Sequence, residues 1–286
     1  MFIERLYQQK PCVFSIEVFP PKQTANIQKL YSALEEMAKL NPDFISVTYG
    51  AGGRNLGVST CEIASHIQND LHINALAHLT CVGATPESIA RALDDLHAAG
   101  VHNVLALRGD ANPDLPFSKE YLHASDLAEA ITQRGGFDIA GACYPEGHVE
   151  SPTLAGDVEN LKKKVDAGVS HLITQLFFDN VHYYRFLNLA RKKGIQVPVS
   201  AGVMPIVSRS QIERTVALSS ASLPPKFTKM ISRWQDDEQG LYEAGIEYAV
   251  EQLRDLISGG ADGVHLYAMN RSAVAARVYE GIQDLL

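Results

Sequence analysis

The feature that most constrains the fold of this chain is a repeated alternation of short β-branched segments with longer amphipathic ones. The amphipathic segments place apolar residues on one helical face, as Leu30, Leu34 and Met37 do. Strands that alternate with helices are typical of βαβ units on a parallel sheet. The predicted strands are 12–18, 43–49, 73–81, 102–107, 137–143, 170–177, 197–203 and 263–268.

The chain length favours closing these strands into one barrel. At roughly 150 residues per domain, 286 residues leave one or two domains open. Eight strand-helix units fill that length as a single (β/α)8 TIM barrel of the α/β class. The turn after the first strand, at residues 17–21, lacks the GxGxxG motif of dinucleotide-binding folds, and the segment 219–240 is expected to be a loop with one helix. We therefore predict one domain over residues 1–286.

The composition and charge of the chain limit the classes of ligand it is expected to bind and the cellular compartment in which it is expected to occur. The formal net charge is −8, opposite to the basic surface that nucleic acids or anionic membranes select, so we expect small-molecule ligands. Glu4 and Arg5 interrupt the first residues where a signal peptide needs an apolar run, and no apolar stretch reaches the length of a membrane span. The four cysteines form no CxxC pair and are expected to be reduced. These features predict a cytoplasmic protein.

Polar residues concentrate where the predicted strands end. In a barrel of this kind the active site is built at the carboxyl ends of the strands. No lysine lies within a strand, no histidine pair suits a metal, and no GxSxG motif is present, so Schiff-base, metal and serine-nucleophile chemistry are all disfavoured. An organic cofactor is the expected source of the chemistry. The strand-end residues are Glu17, Thr48, His78, Arg108, Gly109, Asp110, Tyr144, Gln175 and Tyr267.

Short motifs at these positions give the sequence a family resemblance over nearly its whole length. They are SIEVFPPK (15–22), ISVTYGAGG (45–53), AHLTC (77–81), ALRGD (106–110), ASDL (124–127), YPEGH (144–148), NLKKKVDAG (160–168), ITQLFFD (173–179) and MNR (269–271). Together they resemble the catalytic domain of the methylenetetrahydrofolate reductase family. The resemblance implies a TIM barrel with non-covalent FAD that reduces 5,10-methylenetetrahydrofolate to 5-methyltetrahydrofolate. NADH or NADPH would be the electron donor, in a ping-pong scheme.

The resemblance also implies roles for individual residues. Glu17 matches the general acid that protonates N10 of the folate, a role for which its pKa is expected to be raised by burial near Phe19. Asp110 matches a catalytic aspartate that contacts both flavin and pterin. Substrate positions are matched by Asp110, Gln175, Gln211 and Arg271. FAD positions are matched by Thr48, His78, Arg108, Gly109, Asp110, Ala124, Tyr144, His148, Asp157, Asn160 and Lys164.

Two alternative functions are also consistent with the sequence. A folate-dependent methyltransferase barrel would share the pterin contacts without flavin or nicotinamide, and a non-catalytic folate-binding subunit would keep the barrel alone. Eukaryotic members of the resembled family carry an added regulatory region, which this chain is expected to lack. A homo-oligomer is also expected from the resemblance.

Overall fold

Eight parallel strands pair in chain order and close into a barrel, with β8 bonded to β1. The computed structural model describes residues 1–21, 26–49, 59–110, 118, 120–212, 215 and 221–286. The predicted (β/α)8 fold is therefore confirmed. The strands are β1 (Val13–Val18), β2 (Phe44–Val47), β3 (Asn74–Thr80), β4 (Asn103–Leu107), β5 (Asp138–Cys143), β6 (His171–Thr174), β7 (Val199–Val203) and β8 (Gly263–Tyr267).

The strands are shorter than predicted at some ends, most clearly in β6. It was expected to run through residue 177 but ends at Thr174. The reason is local: the Leu176 backbone N–H is bonded to the Gln175 side-chain oxygen at 2.9 Å instead of to a neighbouring strand. Gln175 consequently lies just beyond the strand, at the barrel mouth.

Helices cover the outside of the barrel. The predicted helix within 219–240 is confirmed as Pro225–Trp234, but the last residues of that segment begin the following long helix at Glu238. Residues 219–220, like Lys22 and residues 50–53 of the family motifs, lie outside the described part of the chain. The α-helices are α1 (Leu6–Gln9), α2 (Ile27–Ala38), α3 (Thr60–Ser65), α4 (Pro86–Ala98), α5 (Ala124–Arg134), α6 (Leu154–Asp166), α7 (Asn180–Lys192), α8 (Pro225–Trp234), α9 (Glu238–Ser258) and α10 (Ser272–Glu280).

The interior of the barrel changes from apolar to polar along its axis. Val13, Phe44 and Leu76 pack with the N-terminal residues Ile3 and Leu6, which close the amino end of the barrel. Alternation along each strand returns every second residue to the inner face. The residues that follow these apolar ones toward the carboxyl end are polar, and they form the candidate site described below.

Two further observations bear on the sequence expectations. All four cysteines are free, and three of them, Cys12, Cys81 and Cys143, are buried. No helix among the described residues is long and apolar enough to cross a membrane.

Candidate active site

Glu17 lies at the centre of a cluster of polar side chains inside the carboxyl end of the barrel. Its Oε2 atom is 3.4 Å from His78 Nε2, 3.6 Å from His265 Nε2 and 3.5 Å from the Ser46 hydroxyl, which donates to it. The Glu17 side chain is 20% exposed, whereas His265 is fully buried. Four strands, β1, β2, β3 and β8, thus direct polar groups at one carboxyl. These residues come together because each occupies an inward position near the end of its strand.

The pKa of Glu17 moves in the direction opposite to the one expected from sequence. Burial raises it, but the interactions with His265, His78 and Ser46 outweigh burial and lower the pKa of Glu17 below its ordinary value. Burial also lowers the pKa of His78 to about 4, against the opposing effect of Glu17. His78 is therefore neutral at neutral pH, and its buried Nε2 atom has no hydrogen-bond partner. The polar neighbours of the carboxyl, which the sequence argument left out, are the reason for the difference.

A cavity of about 360 Å³ lies between the ends of β4 and β5 and the helices α5 and α6. It brings together seven of the residues that were predicted to bind the cofactor. Two of these, Arg108 and Lys164, are cationic, and the cavity also borders the first turn of α5 at Ala124. A helix N-terminus and two cations make this a chemically suitable place for a diphosphate. The seven residues are Arg108, Ala124, Tyr144, His148, Asp157, Asn160 and Lys164.

Lys164 differs from its two neighbours in the Lys162–Lys164 run. Its ammonium donates to the Ala142 carbonyl at 2.7 Å, and burial lowers the pKa of Lys164. The stem passes close to Gly141, where a Cβ atom would lie 3.1 Å from Lys164 Cδ. By contrast, Lys162 pairs with Asp166 on the same helix. Lys163, which donates to Asn160, also borders the cavity, so Lys164 is distinguished by its contact with the backbone of β5.

Arg108 forms the clearest ion pair of the cavity. Both terminal nitrogens of its guanidinium contact Glu150, at 2.6 and 2.8 Å, and this pairing raises the pKa of Arg108. Asp157 accepts a hydrogen bond from Ser151 at 2.8 Å. Burial raises the pKa of Tyr144 to about 12, so its hydroxyl stays protonated. The loop that carries His148, Glu150 and Ser151 thus closes one side of the cavity.

The other predicted cofactor residues line the barrel mouth rather than this cavity. Thr48 and His78 lie at the ends of β2 and β3, and Gly109 and Asp110 follow β4. Gly109 has a φ of +88°, and a Cβ atom there would lie 2.7 Å from Val82 Cγ1, so the turn after Arg108 requires glycine. Asp110 is exposed at the far side of that turn.

The predicted substrate residues are spread over the rim. The Gln175 oxygen accepts from Leu176, as described above. Gln211 accepts hydrogen bonds from the Val207 N–H and the Ser208 hydroxyl. Arg271 borders a second, larger cavity of about 1290 Å³, which lies beside α2 and α10 and also includes Val207 and Ser208. Gln211 and Arg271 therefore approach the same outer cavity, whose lining does not include Glu17.

Three polar residues at this site were not predicted from the sequence. His265, Ser15 and Ser46 lie within strands, two residues before or after an inward-facing polar position, and this period-two relation is the signal that identifies them. Asn270, in the MNR motif, was expected among the polar residues just beyond the last strand, without an assigned role. Its side chain bonds both the N–H and the carbonyl of Phe19, at 2.9 and 2.8 Å, and so ties the end of β8 to the end of β1.

The barrel is closed, and titratable groups converge at its carboxyl end beside a cavity lined by cationic residues. Enzymes with the (β/α)8 fold have their active sites at this end. The structure is therefore that of a (β/α)8 protein of the enzyme type. The model of the methylenetetrahydrofolate reductase family matches residues 2–283. The chain belongs to that family, as the sequence motifs indicated.

Individual relatives agree with this assignment. The 5,10-methylenetetrahydrofolate reductase of Escherichia coli is 33% identical over 91% of this chain and 87% of its own length. Methylenetetrahydrofolate reductase (NADH) 1 of Arabidopsis thaliana is 32% identical over 99% of this chain. Methylenetetrahydrofolate reductase 1 of Schizosaccharomyces pombe is 34% identical over 93% of it. The chain spans about half the length of the last two relatives, 50% and 45% respectively.

Solved structures support the fold at low sequence identity. An uncharacterized protein from Clostridium thermocellum, described as binding two copies of 5-methyl-5,6,7,8-tetrahydrofolic acid, superposes with a TM-score of 0.70 at 14% identity, over 99% of this chain and all of that one. A ligand-free tryptophan synthase from M. tuberculosis gives a TM-score of 0.55 at 13% identity, over 98% of this chain and 97% of that one. These similarities bear on the barrel fold alone.

Proposed function

We propose that this chain is an FAD-dependent methylenetetrahydrofolate reductase that takes electrons from NADH or NADPH and passes them to the folate in a ping-pong scheme. The observation that supports it most is the placement of Glu17. Among the predicted site residues in the described part of the chain, only Glu17 has two imidazoles and a hydroxyl around its side chain. Such an environment suits a carboxyl that must exchange a proton with a bound substrate.

The role proposed for Glu17 is to protonate N10 of the folate. The O–H bond of the carboxyl breaks, the N10–H bond forms, and the electron pair stays on the carboxylate. The pKa of Glu17 is lowered while the barrel mouth is uncovered. The protonated form of Glu17 must therefore become favoured when a bound ligand covers the mouth and excludes water. Asp110, at the rim, is proposed to stabilise the cation that results from ring opening. Gln175 is proposed to hold the pterin edge, because an amide both donates and accepts.

The cavity beside the barrel fits the diphosphate half of FAD. Arg108 and Lys164 supply positive charge, the first turn of α5 supplies backbone N–H groups, and about 360 Å³ is a volume typical of ligand sites. Bound there, FAD supplies the hydride-transfer chemistry that the side chains of the chain lack. Glu150 must release the Arg108 guanidinium for a phosphate to bind it in the same bidentate way.

The proposal is tested by the colour and redox behaviour of the purified protein. We expect a yellow protein that is bleached anaerobically by a nicotinamide nucleotide and regains its colour when methylenetetrahydrofolate is added. A colourless protein that cannot be reconstituted with FAD would contradict the proposal and favour the folate-dependent methyltransferase. A flavin that is never reoxidised by the folate would favour a non-catalytic folate-binding subunit.

Glu17→Gln separates the two half-reactions. The amide keeps the shape of the side chain but has no acidic proton, so reoxidation of the reduced flavin by methylenetetrahydrofolate should slow by about 10² to 10⁴-fold. Reduction of the flavin by NADH needs no proton from Glu17 and is the internal control. Rapid-mixing absorbance measurements follow both steps. Equal loss of the two half-reactions would refute the role assigned to Glu17.

Other parts of the proposal rest on sequence alone. They are a cytoplasmic location, a homo-oligomeric state, the absence of a metal from the reaction, and residues 1–286 acting as one catalytic domain. Gel filtration with light scattering measures the oligomeric state.

A further inference from the structure

Asn270, just beyond β8, forms two hydrogen bonds with the backbone at the end of β1. Its side-chain oxygen accepts from the Phe19 N–H at 2.9 Å, and its side-chain nitrogen donates to the Phe19 carbonyl at 2.8 Å. One amide therefore satisfies both backbone groups of one residue, as a neighbouring strand would. The ladder between β1 and β8 ends at the pair Glu17 and Tyr267. The pairing of the two strands is thus continued beyond the ladder by a single side chain.

The sequence makes this contact important for the end of β1. Phe19 has the last backbone N–H before two prolines at residues 20–21, and proline has no N–H to donate. On the other side of the strand, the Thr48 N–H donates to the Val18 carbonyl at 3.0 Å. The end of β1 is therefore held by the β2 exit on one side and by Asn270 on the other.

The backbone turn at Asn270 does not by itself require an amide. Met269 and Asn270 have φ of +54° and +58°, as the two central residues of a type I′ turn do. The Arg271 N–H closes this turn by donating to the Ala268 carbonyl at 2.9 Å. Glycine would adopt the same backbone without steric cost. The two bonds to Phe19 are what asparagine adds to the turn.

Asn270 also lies between two parts of the predicted substrate site. It borders the outer cavity of about 1290 Å³ together with its neighbour Arg271, and through Phe19 it holds the strand that carries Glu17. The guanidinium of Arg271 suits the anionic glutamate end of a folate, whereas Glu17 is proposed to act at the pterin end. The contact between Asn270 and Phe19 thus connects the backbone segments that carry these two groups.

We propose that Asn270 is a positioning residue of this site: by holding Phe19 it fixes the end of β1 relative to Arg271, so that a folate held at its glutamate end is aligned with Glu17 at its pterin end. This inference rests on the proposed function. Binding at a remote part of a substrate raises the rate only when it aligns the reacting atoms. Without a fixed connection, the glutamate would contribute to affinity alone.

Two substitutions separate the amide from the backbone turn. Asn270→Gly accepts the positive φ and removes both hydrogen bonds. Asn270→Asp keeps the size of the side chain and the acceptor for the Phe19 N–H, but it places a carboxylate oxygen against the Phe19 carbonyl. Asn41→Gly is the matched control, because Asn41 also has a positive φ, of +48°, and is exposed beyond the end of α2.

The first readout is hydrogen exchange of the Phe19 amide in the purified full-length chain, which needs neither flavin nor folate. We expect exchange to be about 10-fold faster in Asn270→Gly than in the unsubstituted protein, and unchanged in Asn41→Gly. Asn270→Asp should keep most of the protection, because its acceptor remains. An unchanged exchange rate in Asn270→Gly would overturn the proposal, whether or not the chain is a reductase.

The second readout is the folate half-reaction, measured with methylenetetrahydrofolate and with the analogue that lacks the glutamate. At saturating folate, reoxidation of the reduced flavin should slow by about 10 to 100-fold in Asn270→Gly and Asn270→Asp. Reduction of the flavin by NADH is the internal control. In the unsubstituted protein the glutamate should raise both the affinity and the limiting rate, whereas in Asn270→Gly it should raise the affinity alone.

The outcomes that contradict the proposal are distinct from one another. Equal slowing of both half-reactions would show that Asn270 only supports the fold. An Asn270→Asp protein as fast as the unsubstituted one would show that the donor to Phe19 is not needed. A glutamate that still raises the limiting rate of Asn270→Gly by the original factor would show that the alignment does not pass through Phe19. A protein without flavin would defeat the proposed function, whereas an unchanged exchange rate would defeat only the role of Asn270.

Discussion

Lys164 shows how one position in a run of identical residues acquires a distinct environment. Its ammonium is buried against Ala142 and borders the cavity, whereas Lys162 lies on the outer side of α6 beside Asp166. The sequence favoured the third lysine only through the family motif. Burial near Gly141 gives a physical reason, because the absence of a Cβ atom there makes room for the lysine stem.

Lys164→Met should weaken FAD binding. The methionine keeps an unbranched apolar stem but removes the charge, and a charge-assisted hydrogen bond contributes about 1.5–3 kcal/mol, or roughly 10 to 150-fold in Kd. Quenching of flavin fluorescence on titration of the apoprotein measures this change. Lys162→Met removes the same charge outside the cavity and is the matched control. Equal weakening by both variants would mean that only the general charge of α6 matters.

At the scale of elements, the long helix α9 holds the segment that follows β7. A Cβ atom on Gly245 would lie 1.9 Å from the carbonyl oxygen of Ile206, so the helix backbone packs directly on this segment. The same segment leads to Val207 and Ser208, which bond Gln211 and line the outer cavity. The contact between α9 and the β7 exit therefore positions part of the proposed substrate site.

Gly245→Ala tests this close approach. Alanine is the better helix former by about 1 kcal/mol, but the overlap with Ile206 must displace backbone, and we expect a net loss of about 1–3 kcal/mol in the free energy of unfolding. Urea unfolding measures it. Gly156→Ala in α6 is the control, since the nearest atom to its Cβ is the Thr153 hydroxyl at 3.3 Å. A Gly245→Ala protein as stable as this control would contradict the packing argument.

At the scale of the whole molecule, histidines buried in the barrel make the fold sensitive to acid. Burial lowers the pKa of His78 to about 4 and also lowers the pKa of His171, in each case against an opposing carboxylate. Unfolding returns both to an ordinary value near 6.5, so the unfolded chain binds more protons below that pH. Their stabilising contribution is complete above about pH 6.5 and is lost as the pH falls toward 4.

We therefore expect the free energy of unfolding to fall between about pH 6.5 and 4, with His78 contributing up to roughly 3 kcal/mol. Urea unfolding at a series of pH values measures the slope. His171→Gln should reduce the slope, because one proton-binding group of the unfolded chain is removed. His97→Gln, at an exposed position, is the control. If both variants keep the full slope, burial of His171 is not a cause of the acid sensitivity.

The sequence alone determined the barrel, because strand and helix periodicities are local properties that repeat along the chain. The residues that begin and end helices were equally predictable from the sequence. Thr85 caps α4 with Pro86 at its first position, and Gly100 and Gly168 end helices with φ of +73° and +114°. The family motifs marked the strand-end residues for the same reason, since each motif is a short contiguous segment.

Only the tertiary structure decided how the strand ends meet. Barrel closure sets His265 of β8 beside Glu17 of β1, nearly 250 residues apart in sequence, and the resulting contacts reverse the expected direction of the Glu17 pKa. It also pairs Arg108 with Glu150 and buries Lys164. Sequence determines what each residue can do chemically, whereas distance and burial determine which partner and which protonation state it has, and these depend on through-space interactions that no local pattern records.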